Sequence, residues 1–285
     1  MQLEFKGKKI EYCIFDPTGN ITALVETAVD PEDQPAVSSR IMELEPDVEQ
    51  VGFVSFRDEP LPEDGAAVSL RMAGGEFCGN ATMCAAALYM VRAALQGEAT
   101  VMVRVSGASE PLEVRLARTG GKTFAASVAV PPALGIDFLT LEMSWKGFSG
   151  SVCLPVVTLE GITHLIVRPG SEVFDTLKDR ETAEAILKLW YPFLEPDCLG
   201  MMFLGDGDEI RKLTPLVYVP GVDTMFWENS CASGSAAAGM FLASQSRGPV
   251  DVTFDEPAGR LRVESAFPSY RTTLHGSVKL VKECL

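Results

Sequence analysis

The sequence predicts an α/β protein made of two related halves. Short apolar stretches alternate with longer helix-forming runs along all 285 residues. Pro131-Pro132 breaks the chain near its middle. On each side of that break the same order occurs: strands, a strand and turn ending in a cysteine, then an alanine-rich helix. The first copy reads Glu76-Phe77-Cys78-Gly79-Asn80-Ala81-Thr82 and the second Glu228-Asn229-Ser230-Cys231-Ala232-Ser233-Gly234-Ser235. Self-similarity of this kind argues for two related domains.

In order, Ile10-Phe15 and Ile21-Val25 read as strands joined by a turn at Asp16-Pro17-Thr18-Gly19-Asn20, where Pro and Gly mark a tight connection. A helix is predicted from about Asp33 to Leu44, followed by strands at Val51-Phe56 and Val68-Met72. The helix after Cys78 is expected to run to about Leu95, where Gln96-Gly97 ends it. Val101-Val105, Leu112-Ala117 and Thr123-Val130 are further strands. Beyond the break come strands at Gly150-Leu159 and Thr163-Val167, a helix over Glu181-Trp190, and strands at Met201-Phe203 and Leu213-Val219. The helix after Cys231 follows, then strands at Val250-Phe254, Arg260-Val263 and Ser277-Val281. The domains so drawn are 1–128, carrying Cys78, and 129–275, carrying Cys231.

Hydrophobic residues make up 47% and charged residues 22%, as in an ordinary globular protein with a sizeable core. The formal net charge is −15. That excess of acid disfavours nucleic acid and anionic membrane surfaces as partners, because both need clustered Lys and Arg. The N-terminus lacks the apolar segment of a secretory leader, and no apolar run approaches the ~20 residues of a membrane span. A cytoplasmic protein is expected. Its seven cysteines (13, 78, 84, 153, 198, 231 and 284) are then expected as reduced thiols. They show no CxxC spacing and only two histidines accompany them, so a metal site is not predicted.

A cysteine at a helix start can be a reagent. The first amides of a helix have no carbonyl partner and make an anion site. The same field stabilises a thiolate. Should two such helix starts face one substrate, an α-carboxylate can sit between them with a sulfur on each face of the α-carbon. One thiolate then removes the α-proton while the other thiol delivers one to the opposite face, which is racemisation or epimerisation. Most single cysteines are small buried hydrophobes, and that reading is kept for Cys13, Cys84, Cys153, Cys198 and Cys284. For Cys78 and Cys231 the repeated context favours chemistry. A binding protein that holds an amino acid on the same helix ends is the non-catalytic alternative, but it needs no acid–base pair.

Cys78-Gly79-Asn80 and the later Cys-x-Ser-Gly resemble the diaminopimelate epimerase and proline racemase superfamily of cofactor-independent enzymes. Within it, the chain is most similar to the histidine racemases that supply D-histidine for staphylopine-type opine metallophores. The similar stretches are Asp16-Pro17-Thr18-Gly19-Asn20-Ile21-Thr22, Glu49-Gln50-Val51-Gly52-Phe53, Glu76-Phe77-Cys78-Gly79-Asn80-Ala81-Thr82-Met83, Gly200-Met201-Met202 and Trp227-Glu228-Asn229-Ser230-Cys231. Weaker echoes are Val105-Ser106-Gly107 and Glu256-Pro257-Ala258-Gly259.

The resemblance implies two pseudo-symmetric α/β domains, each a curled sheet around a central helix, with a last strand at about 276–285 returning to the first domain. It implies a racemase that needs no cofactor and takes a small amino acid, with Cys78 and Cys231 as the proton-transferring pair. Gly79, Asn80, Ala232 and Ser233 become a carboxylate cradle, Asn20 a substrate contact, and Glu49 and Gln50 polar residues facing the substrate. It also allows a homodimer.

Departures from the superfamily narrow the substrate. Met72 stands where diaminopimelate epimerases carry an asparagine for the distal amino-acid centre, and Pro220-Gly221-Val222-Asp223-Thr224 lacks their Glu-Arg pair. A distal zwitterion would be left unpaired, which is costly when buried. A smaller side chain is favoured, histidine first, with a broader racemase or an epimerase of the diaminopimelate or proline type as the alternative. Ala232 replaces the glycine usual in the second motif. Among other residues, His164 reads either as a core histidine or as a wall near the substrate, and His275 as a surface residue by a turn. Trp227 and Phe226 read as core. Glu228 is placed near the positive end of the helix that follows. The loop Leu204-Gly205-Asp206-Gly207-Asp208-Glu209 is a solvated hairpin rather than a calcium loop.

Overall fold

The computed structural model describes residues 1–285 except 58–62, 146–147, 171, 195 and 284–285. Among the described residues, seventeen strands and five α-helices fall in two compact units, Met1–Val130 with Thr273–Leu285, and Pro131–Thr272. The break lies at Pro131, where the absent N–H and restricted φ interrupt a run of strand.

The first unit opens with β1 (Gln2–Phe5), β2 (Lys8–Pro17) and β3 (Thr22–Val25), then α1 (Gln34–Leu44), β4 (Gln50–Phe56) and β5 (Val68–Met72). The central α2 (Gly79–Arg92) follows, then β6 (Glu98–Val105), β7 (Leu112–Arg118) and β8 (Thr123–Val130). Pairing runs β2, β3, β4, β5, β6, β7, β8 in succession. The last strand of the chain, β17 (Thr272–Lys282), pairs with both β2 and β8 and closes a ring of eight strands. Helix α2 packs against β2 through β8. A helix walled on all sides must be apolar all round and small enough to fit. The sequence Ala81-Thr82-Met83-Cys84-Ala85-Ala86-Ala87-Leu88 meets that demand and is buried throughout.

The second unit begins with the long hairpin of β9 (Gly135–Trp145) and β10 (Phe148–Leu159) and continues with β11 (Ile162–Val167). Helices α3 (Glu172–Leu177) and α4 (Arg180–Leu194) precede β12 (Leu199–Leu204), β13 (Ile210–Val219) and β14 (Thr224–Trp227). Helix α5 (Ala232–Ser246), β15 (Val250–Glu256) and β16 (Gly259–Ser265) complete it. β10 to β13 pair in order, β13 then pairs with β14 along its end and with β15 along its start, and β15 pairs with β16. Helix α4 is amphipathic. It lays Ile186, Leu187 and Trp190 on a core of Leu141, Met143, Val152, Leu154, Leu165 and Val167. Asp179 caps it by accepting from the Thr182 N–H (3.0 Å) and hydroxyl (2.6 Å). Helix α5 is apolar all round and packs against β10, β11, β12, β15 and β16.

Several elements differ from the sequence reading. Helix α2 ends at Arg92, where Ala94 adopts φ 54° before Gly97. Strands β1, β9 and β14 are additional to those predicted. In β9 four successive exposed residues, Asp137 to Thr140, mask the alternation that marks a strand. His275 lies within β17, half-buried, rather than at a turn. Cys13 is disulfide-bonded, against the expectation of a reduced thiol. Cys78, Cys84, Cys153, Cys198 and Cys231 carry no disulfide, and Cys284 lies outside the described residues. Residues 204–209 do form the β12–β13 hairpin connection. Among the described residues no group of His, Cys, Asp and Glu is arranged to hold a metal, and no helix is long and apolar enough to cross a membrane.

One close approach fixes the loop that delivers Cys78. Gly107 has φ +71°, and a Cβ there would sit 2.3 Å from the Phe77 nitrogen and 2.8 Å from the Glu76 carbonyl carbon. Beside it, the Ser106 hydroxyl accepts from the Met72 N–H (2.9 Å) and donates to the Glu76 carbonyl (2.9 Å). Gly107→Ala therefore combines backbone strain with a backbone clash. We expect it to lower unfolding free energy by roughly 2–4 kcal/mol in urea titrations. Gly121→Ala, in open space, should change it by less than about 0.5 kcal/mol.

Candidate active site

Each unit presents a cysteine at the N-terminus of its buried helix. Cys78 caps α2 in an extended conformation (φ −131°, ψ 108°), and its Sγ accepts from the Ala81 N–H at 3.3 Å. Cys231 caps α5 in nearly the same conformation (φ −125°, ψ 101°), and its Sγ accepts from the Gly234 N–H at 3.4 Å. Sulfur thus takes the place usually held by a Ser or Asp oxygen at this position. Gly79 and Asn80 open α2, and Ala232 and Ser233 open α5, so their amides point out of the helix N-termini beside the sulfurs.

In the first unit, parallel pairing of β3 with β4 sets Thr22 beside Gln50. This brings the residues that enter both strands, Asn20 and Glu49, together in front of α2. Asn20 Nδ2 donates to Glu49 Oε2 (2.6 Å), and Asn80 Nδ2 donates to Asn20 Oδ1 (3.2 Å). A second branch runs from the Cys78 Sγ–H to Gln50 Oε1 (3.0 Å), from Gln50 Nε2 to Thr22 Oγ1 (2.7 Å), and from that hydroxyl to the Asn20 carbonyl (2.9 Å). Every first-unit residue expected at the site belongs to this network or to the helix start. Asn20 and Asn80 are buried, whereas Cys78, Glu49 and Gln50 are half-buried.

In the second unit, parallel pairing of β11 with β12 sets His164 beside Gly200. His164 is fully buried, and its Nε2 lies 3.1 Å from the Ser233 hydroxyl, which is 3.6 Å from Cys231 Sγ. Gly200 makes room for the imidazole, since a Cβ there would lie 2.2 Å from His164 Nδ1. Burial lowers the His164 pKa to about 3, so the ring is neutral. Glu256, at the end of β15, accepts from the Cys231 N–H (2.5 Å) and from the Ser235 hydroxyl. Sequence reasoning gave His164 only a general place and Glu256 only a weak echo. Their signal was the joint occurrence of Gly200 with His164 and of Glu256 with Gly259, which contact reveals and spacing does not. Trp227 is structural: its Nε1 donates to Glu184 Oε1 (2.8 Å), and its ring stacks on Phe203 at 5.5 Å.

The electrostatics of Cys231 correct the sequence expectation. Its helix position predicts an acidic thiol. Burial pushes the thiol well above its ordinary value instead, and Glu228 and Glu256 reinforce the rise. Desolvation of the buried sulfur outweighs the partial charge of the helix end. Cys84, a core residue of α2, is pushed up by the same burial.

Comparison with solved structures defines the fold class. The chain superposes on a probable proline racemase from Agrobacterium radiobacter with a TM-score of 0.71 at 12% identity, covering 96% of this chain and 91% of that one. A hydroxyproline epimerase from Agrobacterium vitis superposes with a TM-score of 0.65 at 11% identity, covering 97% and 92%. This is the α/β fold of racemases and epimerases. The histidine racemase CntK N-terminal domain model matches residues 9–284, and the chain belongs to that family. A histidine racemase of Staphylococcus aureus is 29% identical over 281 residues, 95% of each chain. One of Fusobacterium nucleatum is 30% identical over 248 residues, 84% of each. The protein is therefore an isomerase of the racemase type.

The neutral, buried His164 has a consequence for stability. Its folded pKa lies below the unfolded value near 6.5, so its contribution is present above that value and is lost as pH falls through about 3. Each unit of that window costs about 1.4 kcal/mol. His164→Gln should flatten the loss of unfolding free energy between pH 6 and pH 4, read by denaturant titration at each pH. An unchanged acid limb would contradict the buried neutral assignment.

Proposed function

We propose that this racemase inverts the α-carbon of histidine, L to D, with Cys78 and Cys231 as the acid–base pair and without a cofactor. The carrying observation is that each compact unit caps a helix with buried N-terminal turns by a thiol whose sulfur takes a first-turn amide. We read the two units as pseudo-symmetric halves, each supplying one thiol and one helix end.

The chemistry follows from those groups. One cysteine, as thiolate, takes the α-hydrogen as a proton, and the C–H electron pair passes into the carboxylate as an enediolate. The other cysteine, as thiol, gives its proton to the opposite face of the α-carbon. The product has inverted configuration, and the two sulfurs have exchanged protonation states. The amides of Gly79, Asn80, Ala232 and Ser233 cradle the carboxylate, where the helix ends, each worth roughly half a positive charge, stabilise the enediolate.

The side chain is assigned from the network in front of α2. Glu49 is held by Asn20 with a carboxylate able to accept from an imidazole N–H. Gln50 holds the Cys78 thiol, and the buried Met72 offers no partner to a distal charge. Family membership supports histidine over diaminopimelate or proline.

Incubation with L-histidine in deuterated water should give D-histidine labelled at the α-carbon, read by chiral chromatography with mass spectrometry. Cys78→Ala and Cys231→Ala should each lower racemisation by roughly 10²–10⁴-fold. Full activity in both would sink the two-thiol mechanism. Glu49→Gln should raise KM for histidine with a smaller change in kcat, and an unchanged KM would remove Glu49 from the binding site.

A further inference from the structure

The first turn of α5 is fastened by a buried carboxyl group. Glu256 ends β15 and is 6% exposed. One of its oxygens takes the Cys231 N–H at 2.5 Å, and the other takes the Ser235 hydroxyl one turn further along the helix. The turn that follows adds a backbone tie, the Ala258 N–H donating to the Asn229 carbonyl at 3.1 Å. The loop carrying the thiol is thus gripped on both sides of Cys231, and the grip ends in an ionisable group. An amide side chain could accept the Cys231 N–H through its oxygen and donate its NH2 to the Ser235 hydroxyl, so the contacts alone do not require an acid.

The surroundings show what an acid adds. The ionisable and polar groups that bear on Cys231 are Glu228 from the loop before α5, Glu256 from β15, Ser233 from its own helix, and His164 from β11 acting through Ser233. His164 is neutral at working pH. Burial raises the Glu256 carboxyl to about 8, so it is largely protonated at neutral pH and ionises in mild alkali. A charge appearing there opposes a charge appearing on the sulfur, because both groups are buried and weakly screened.

We propose that Glu256 is a positioning residue for Cys231, fixing the cysteine backbone through its N–H and coupling the proton on its own carboxyl to the proton on the sulfur. The coupling holds Cys231 in the thiol form, in which it can act as the acid, as the pH rises past neutral and Glu256 ionises. This deepens the two-thiol mechanism and rests on it for functional meaning, yet it can be measured without turnover.

The test is the pH dependence of Cys231 alkylation by iodoacetamide, followed by peptide mass mapping. In the wild-type protein the logarithm of the rate should rise with unit slope up to about pH 8 and less steeply beyond, as Glu256 ionises. Glu256→Gln keeps both partners, with the Ser235 hydroxyl now accepting from the amide NH2, and cannot ionise, so its profile should continue at unit slope. Above the break its Cys231 should react several-fold faster than that of the wild type. A purely structural role predicts superimposable profiles, and that result overturns the proposal. So does a wild-type profile with no break, which needs no variant. A break that Glu256→Gln removes, in a protein that exchanges no α-proton with deuterated water, would uphold the coupling and defeat the racemase mechanism instead.

Discussion

Everything at the site depends on how a helix with buried N-terminal turns begins. A helix start packed against a sheet cannot leave its first amides to bulk water. In α2 and α5 the N-cap side chain is a thiol, and its sulfur accepts one first-turn amide in each. The preceding amides are left pointing outward. One local requirement thus places a nucleophilic or acidic sulfur and an anion site within the same turn. The alanine-rich interiors are the other side of that arrangement. A helix with long side chains could not sit inside the ring of the first unit, so Ala85, Ala86 and Ala87 serve the geometry and the chemistry together.

Parallel strand pairs supply the rest. Parallel pairing brings the N-terminal ends of two strands side by side, which antiparallel hairpins do not do. In the first unit β3 and β4 deliver Asn20, Thr22, Glu49 and Gln50 to the helix start. In the second, β11 and β12 deliver His164 and the glycine that accommodates it. Braces from later turns then hold each cysteine loop: Ser106-Gly107 behind Cys78, and Glu256 with Ala258 behind Cys231. Both braces are short polar segments far from the cysteines in sequence, which explains why they registered in the sequence only as faint echoes.

What could be read from the sequence was what local chemistry dictates. The helix starts after Cys78 and Cys231 were legible because a cysteine followed by small residues and an alanine run has few other solutions. Strands such as Val68–Met72 and Thr123–Val130 were legible to the residue from their alternation. Strand β9 was not, because both of its faces are exposed around Phe138 and Leu139 and the alternation is lost. Long-range contacts were also out of reach. Nothing near Ser233 announces His164, and nothing near Cys231 announces Glu256. Such pairs exist only once β11 and β15 are laid against α5.

The same limit explains the one electrostatic expectation that failed. A helix start lowers a thiol pKa when water can share the work of stabilising the thiolate. At Cys231 water is excluded and two carboxyl groups, Glu228 and Glu256, stand nearby, so the sulfur keeps its proton. For proton transfer this has a use. A pair of equally acidic thiols would both ionise, and neither could then donate. In the proposed mechanism a thiol held protonated by burial and by carboxyl neighbours can act as the acid, with the helix amides as the groups that would stabilise the enediolate. The sequence motif names the two thiols that the proposed racemisation would use. At Cys231 the depth of burial, rather than the helix position, decides the protonation state.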